Sequence, residues 1–252
     1  MPNGKNHMVE FWGDFACITR PEMKVERYSY PCLTPSAARG ALEAIYFKPQ
    51  FYWQVDKVEL LNAPNYLALR RNEIKDKASE AMIKKWIKGT AEPEPLFADA
   101  SGGEKGRTQR QTMALRNPRF RVTARIIPRR GNERQQKAYD QQFARRARQG
   151  KCFQQPYLGC REFVAFFRYV ESLEDEPSPC AYNQDLGWML YDVFDLNTDN
   201  YVEPENRKKN WWKNIGAHVA LFHAQVVDGV LVVPPYDSDD VRKPSLTGKG
   251  AD

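Results

Sequence analysis

The chain has 252 residues, enough to bury a full core, and its 42% hydrophobic and 28% charged content excludes wholesale disorder. No stretch approaches 18 uninterrupted apolar residues, which argues against a membrane-spanning helix, and the opening MPNGKNHMVEFWGDF lacks the charged-then-apolar pattern of a secretory leader. The net charge of +6 is unevenly spread: Lys105 to Arg161 holds 16 Lys or Arg against Glu133 and Asp140, while the remainder carries 22 basic against 30 acidic residues. Such a stretch is either a solvated basic face or the footprint of a polyanionic partner. Five cysteines, at 17, 32, 152, 160 and 180, lack zinc-knuckle or disulfide spacing, so the expectation is a reducing cytoplasm, no structural metal and no cofactor.

In chain order, residues 8–18 read as a first strand with Gly13 as a bulge, and 19–33 as a polar loop. Thr34 as N-cap and Pro35 at the first helical position open a helix through SAARGALEAIYFK, with Ala38, Leu42 and Ile45 on one face and Pro49 as its stop. Residues 51–61 form a second strand, with 65–72 as its partner or a hairpin arm. Residues 73–106 are Lys/Glu-rich and read as an insertion with a short helix at 78–88. RFRVTARI alternates, placing Arg119, Arg121 and Arg125 on one face, expected outward, and Phe120, Val122 and Ile126 on the other. Residues 132–149 form a helix with a Tyr139, Phe143, Ala147 stripe, and 161–171 form the next strand.

Strand, helix, strand, strand, helix, strand is the split βαβ pattern of an α+β, ferredoxin-like (RRM-like) fold. It occupies 1–175. Strands at 186–196, 217–227 and 230–234 predict a small antiparallel β domain over 176–236, with Asp228-Gly229 as a hairpin turn. Residues 237–252 lack periodicity and are expected to be a disordered tail.

Two stretches go beyond pattern. RPEMKVERYSYPCLTPSAARGALEAIYFKP (20–49) follows FWGDFACIT, and FQQPYLGCREF (153–163) precedes DLGWMLYD (185–192). Together they resemble the subtype I-C (Dvulg) form of the CRISPR-associated Cas-five proteins of the RAMP superfamily, over most of 8–196. The resemblance implies binding of CRISPR repeat RNA, metal-independent cleavage at the base of the repeat hairpin, and retention of the crRNA 5′ handle in a Cascade complex. It also implies backbone and large subunits as partners, and target DNA near the PAM.

Metal-free cleavage uses the substrate's 2′-hydroxyl as nucleophile, so the protein must align it, move protons and stabilise charge. The resemblance assigns Tyr46, at the helix end, to this chemistry, against the plain alternative of an aromatic packed on the core. Arg116 and Asn117 in TMALRNPRF stand where the family has lysine and histidine. Arginine can hold a phosphate bidentately, but asparagine cannot shuttle a proton near neutral pH. His7 is read as lying in the N-terminal tail, and His218 and His223 as structural. For RNA binding the candidates are Arg20, Lys24 and Arg27 before the first helix, with Glu22 and Glu26 as competing ion-pair partners. Arg39 and Lys48 on or beside that helix join them, as do Arg107, Arg110, Arg119, Arg121 and Arg125 for the hairpin stem. Gln154, Gln155 and Arg161 flank Gly159, serving either RNA contact or turn geometry, and Cys160 reads as a small buried residue. The open alternatives are a repeat-specific endoribonuclease, a non-catalytic handle-binding subunit, and an unrelated RNA binder of the same fold.

Overall fold

The computed structural model describes residues 4–23, 25–74, 79–93, 107–196 and 218–244. Strand β1 (Asn6–Trp12) breaks at Gly13, where a Cβ would lie 2.5 Å from the Val164 carbonyl oxygen, and the chain resumes as β2 (Phe15–Ala16). After β3 (Arg27–Tyr28), α1 (Pro35–Ile45) begins as its sequence dictates: the Thr34 hydroxyl accepts the Ala37 amide at 3.2 Å and Pro35 occupies the first turn. It ends earlier than expected because Tyr46 is already extended.

Strand β4 (Phe51–Leu60) pairs with β7 (Arg119–Pro128), with a bulge at Asp56 between Val55 and Lys57. β7 pairs with β1, and β1 with β8 (Phe166–Val170). The resulting antiparallel order β4-β7-β1-β8 is that of a ferredoxin-like sheet. Helices α1 and α3 (Gln136–Arg148) pack on one face of it. Tyr139, Phe143 and Ala147 of α3 are buried there with Trp53, Val9 and Phe11, and each large apolar side chain so buried contributes roughly 1.5–3 kcal/mol.

Three features depart from the sequence reading. Residues 66–74 do not border β4. They form β5 (Tyr66–Ile74), which pairs over its whole length with β6 (Arg107–Arg116), and β2 and β3 join β6 to complete a second, four-stranded sheet. The expected insertion is thus the end of a long hairpin, which carries helix α2 (Glu80–Ile87), while 94–106 lie outside the described residues. The C-terminal strands β9 (Gln184–Asp192), β10 (Ala220–Val227) and β11 (Val230–Val232) do not form a separate sheet: β11 pairs with β4, so the ferredoxin sheet continues into them. Asp228 and Gly229 turn the β10–β11 hairpin with φ of 47° and 74°, as a primed turn requires. Part of the expected tail is ordered, since β12 (Val241–Arg242) pairs with β10; residues 245–252 lie outside the described residues.

Candidate nucleic-acid interface

The arginine face of β7 is not the exposed row that its alternation suggests. Arg121 is 3% exposed and donates twice to Glu59, at 3.0 Å each, and once to the Pro177 carbonyl at 3.2 Å. Arg125 is clamped bidentately on Asp56 at 2.8 and 2.7 Å, and Arg119 pairs with Glu10, which also holds Arg168. Burial pushes the Glu59 carboxyl up, but hydrogen bonds from Arg121 and the charge of Lys57 outweigh it and leave its pKa below the ordinary value. These arginines are occupied by carboxylates from β1 and β4, a pairing that alternation along one strand cannot reveal. Arg39 is likewise committed, to Asp192 at 2.6 and 3.1 Å and to Glu43 at 2.7 Å.

The second sheet is different. Arg27, Arg71 and Arg110 surround the single carboxylate of Glu73 at 3.9, 3.3 and 3.0 Å, so cations outnumber the acid they share. Arg71 also reaches Glu162, and Arg27 lies 3.2 Å from the Cys160 sulfur. A hydrogen bond from Cys17, with Arg27 beside it, draws the Cys160 thiol down to about 6 despite burial. Next to this cluster, Arg27, Arg110 and Arg70 line an open cleft of about 610 Å³ with Tyr28, Gln109, Gln111 and one acid, Glu26, which accepts the Gln111 amide. Arg70 is exposed and makes no ion pair among the described residues. Sequence reading missed it because 107–116 was not recognised as the partner of 66–74; the paired strands put Arg70 opposite Gln111, on the cleft.

The proposed catalytic residues do not come together. Tyr46 caps α1 and stacks 5.4 Å from Phe51, which pairs with Pro128 at the far end of β7. Asn117 sits in the β6–β7 turn, beyond Phe120 at the near end. Eight strand residues separate the two ends, about 25 Å. Asn117 has φ of 49°, and its backbone bonds Asp14 and Asn62, which makes it a turn residue. Arg116 is exposed beside it. Tyr46 is 8% exposed; burial and nearby Tyr139 raise its pKa although Arg146 opposes them, so its phenol stays protonated at neutral pH and acts as a donor.

The histidines stand elsewhere. His7 is not in a tail but fully buried on β1, bonded to Asp140 at 2.9 Å and to the Tyr169 hydroxyl at 3.1 Å. His218 precedes β10, and exposed His223 stands 3.5 Å from Asp185. Arg20 lies over the Tyr30 ring at 4.4 Å and 3.7 Å from Glu22. Lys48, Gln154, Gln155 and Arg161 are exposed, although the Gln155 amide donates to the Ala165 carbonyl at 2.7 Å. Gly159 is held at φ 87° against the Cys17 carbonyl, where a Cβ would lie 1.9 Å away. Lys24 lies outside the described residues, and of Arg107 only the backbone is described.

The family described as "CRISPR-associated protein (Cas_Cas5)" matches residues 8–231. Two curated relatives are both called "CRISPR pre-crRNA endoribonuclease Cas5d". The one from Mannheimia succiniciproducens is 35% identical over 241 residues, covering 93% of this chain and 97% of that protein. The one from Thermus thermophilus is 35% identical over 233 residues, 90% of each. A solved structure described as "Crystal Structure of CRISPR-associated Protein" superposes with a TM-score of 0.61 at 15% identity, covering 95% of this chain and 97% of that one. A "functionally uncharacterized protein SMU1763c from Streptococcus mutans" gives 0.58 at 17%, with the same coverage. These two share the fold. Matched by the family over 8–231 and by both relatives over nine-tenths of its length, the chain belongs to the CRISPR-associated Cas5 family.

Proposed function

We propose that this protein binds CRISPR repeat RNA, cleaves the precursor transcript, and keeps the crRNA 5′ handle as a subunit of a Cascade complex. The observation that carries this reading is the 35% identity, over nine-tenths of both chains, to proteins named pre-crRNA endoribonucleases. The cleft of Arg27, Arg70 and Arg110 supplies the phosphate-binding surface: guanidiniums in excess of carboxylates suit an A-form stem recognised by backbone and shape.

In the proposed reaction the 2′-hydroxyl gives up its proton to solvent water and its oxygen attacks the adjacent phosphorus, the bond to the 5′-oxygen breaks, that oxygen takes up a proton, and a 2′,3′-cyclic phosphate and a 5′-hydroxyl result. Tyr46, protonated, donates to the phosphate or the leaving oxygen, with Arg146 and Lys48 at the same end of the fold opposing the developing charge. Arg116 and Asn117, expected to share this chemistry, stand about 25 Å away along β7, so the reading gives them no part in the step at Tyr46. The proposed partners are the backbone and large subunits, and target DNA near the PAM.

The test is incubation of purified protein with labelled repeat RNA in EDTA. A single cut leaving a cyclic phosphate, lost in Tyr46→Phe, supports the enzyme; uncut but tightly bound RNA supports a non-catalytic handle-binding subunit. One observation favours that second reading: His7, one side chain from Tyr46 across Trp53, is fully buried and commits both ring nitrogens to Asp140 and Tyr169.

A further inference from the structure

We propose that Phe47 and Phe153 form a stacking platform for unpaired bases of the bound RNA, at the C-terminal ends of α1 and α3. The inference rests on the RNA-binding reading above and adds to it a place for single-stranded nucleotides.

Both rings are unusually exposed for their size, Phe153 at 78% and Phe47 at 52%, and neither packs on another aromatic ring among the described residues. They are not on slack chain. The Phe153 and Gln154 amides both donate to the Ala44 carbonyl, at 2.7 and 3.1 Å. Arg146 donates to the Ile45 carbonyl at 3.0 Å, and the Lys151 amide to the Arg146 carbonyl at 2.9 Å. The last carbonyls of α1 are thus tied to the loop that follows α3, which holds Phe153 next to the helix end from which Phe47 projects. Rings presented rigidly to solvent are surface set aside for a ligand.

The charge around them identifies the ligand. Residues 44–51 and 145–155 contain five basic side chains, Lys48, Arg145, Arg146, Arg148 and Lys151, and no acid. Among the described residues, only Arg148 of these five has a carboxylate partner, Glu171. Aromatic faces framed by cations match a polyanion with π-faces, that is, single-stranded nucleic acid. Exposed Gln154 stands ready for a base edge.

The experiment measures binding of repeat RNA carrying 2-aminopurine at its unpaired positions, alongside a fully paired stem as control. Phe47→Ala and Phe153→Ala each weaken binding of the repeat RNA about five- to a hundred-fold, the range expected for one stacked base. They leave the paired stem, the salt slope and Tm unchanged, because no phosphate contact and no core packing is lost. Phe153→Trp keeps wild-type affinity and the 2-aminopurine quench, whereas Phe153→Leu behaves as the alanine variant does. Undiminished affinity in the double alanine variant overturns the platform, and so does full retention by Phe153→Leu, which marks an apolar dock for a protein subunit. Failure of the wild-type protein to bind repeat RNA at all defeats the RNA-binding reading itself, a distinct result.

Discussion

Two groups of arginines, alike in sequence, meet opposite fates in this fold. On β7, Arg119, Arg121 and Arg125 each find a carboxylate on a neighbouring strand, and Arg121 disappears from solvent with Glu59. On the second sheet, Arg27, Arg71 and Arg110 crowd one glutamate, and Arg70 stands beside them with no ion pair among the described residues. The first group spends its charge on holding strands together. The second retains surplus positive potential over an open cleft, where phosphates can reach it. What separates them is cross-strand register, which decides how many acids each guanidinium meets.

The sharpest way to break this comparison is at Arg121. Removing it as Arg121→Ala strips buried Glu59 of both guanidinium hydrogen bonds and leaves it Lys57 alone, 3.2 Å away, at a cost of about 3 kcal/mol. At about 2–4 °C per kcal/mol for a chain of this size, Tm falls by roughly 6–12 °C in a calorimetric scan. The apolar pair Arg121→Met with Glu59→Leu recovers most of it, because neither charge is then stranded. A loss of RNA affinity in the double variant, with Tm restored, returns β7 to the interface.

Next in size are Arg70→Ala and Arg110→Ala. Each reduces the slope of log affinity against log salt by about one and weakens RNA binding regardless of sequence. The unfolding free energy stays within about 0.5 kcal/mol of wild type, the range of partly exposed surface substitutions. A fall in Tm without a change in slope would make Arg110 a second Arg121.

Much of this fold was legible in the chain. Thr34-Pro35 announces α1, the Tyr139, Phe143, Ala147 stripe announces α3, and Asp228-Gly229 announces its hairpin, each a local signal with a local cause. The site was less legible, because its geometry depends on pairing. RTQRQTMALR (107–116) carries little apolar alternation, since one of its faces is exposed cleft, so β6 went unread and Arg70 with it. The carboxylates that occupy the β7 arginines lie 62 to 109 residues away in sequence, and no periodicity within one strand points to them. Tyr46 and Asn117 were joined by resemblance, and the strand between them sets them apart.

Acidification probes the same comparison more gently. Glu59 has its folded pKa below the unfolded value of about 4.3, so it contributes stability above that pH. The contribution disappears as pH falls through the lowered folded value, when protonation releases Arg121. Denaturant melts at descending pH therefore show a wild-type loss that begins below about pH 4.5 and is reduced in the Arg121→Met, Glu59→Leu protein. Identical acid profiles in the two proteins would mean that the pair does not govern acid stability.

The smallest effect belongs to Asn117, and it separates a turn residue from a catalytic one. At φ of 49°, asparagine is tolerated and glycine is at ease, so Asn117→Gly changes stability by only a few tenths of a kcal/mol. Asn117→Val, β-branched at a positive φ, costs about 1–2 kcal/mol at the same position. If the residue only shapes the β6–β7 turn, the glycine variant cleaves repeat RNA at the wild-type rate while Tyr46→Phe does not. A cleavage rate that drops equally in both would require the RNA to couple the two ends of β7, because no side chain of the protein spans them.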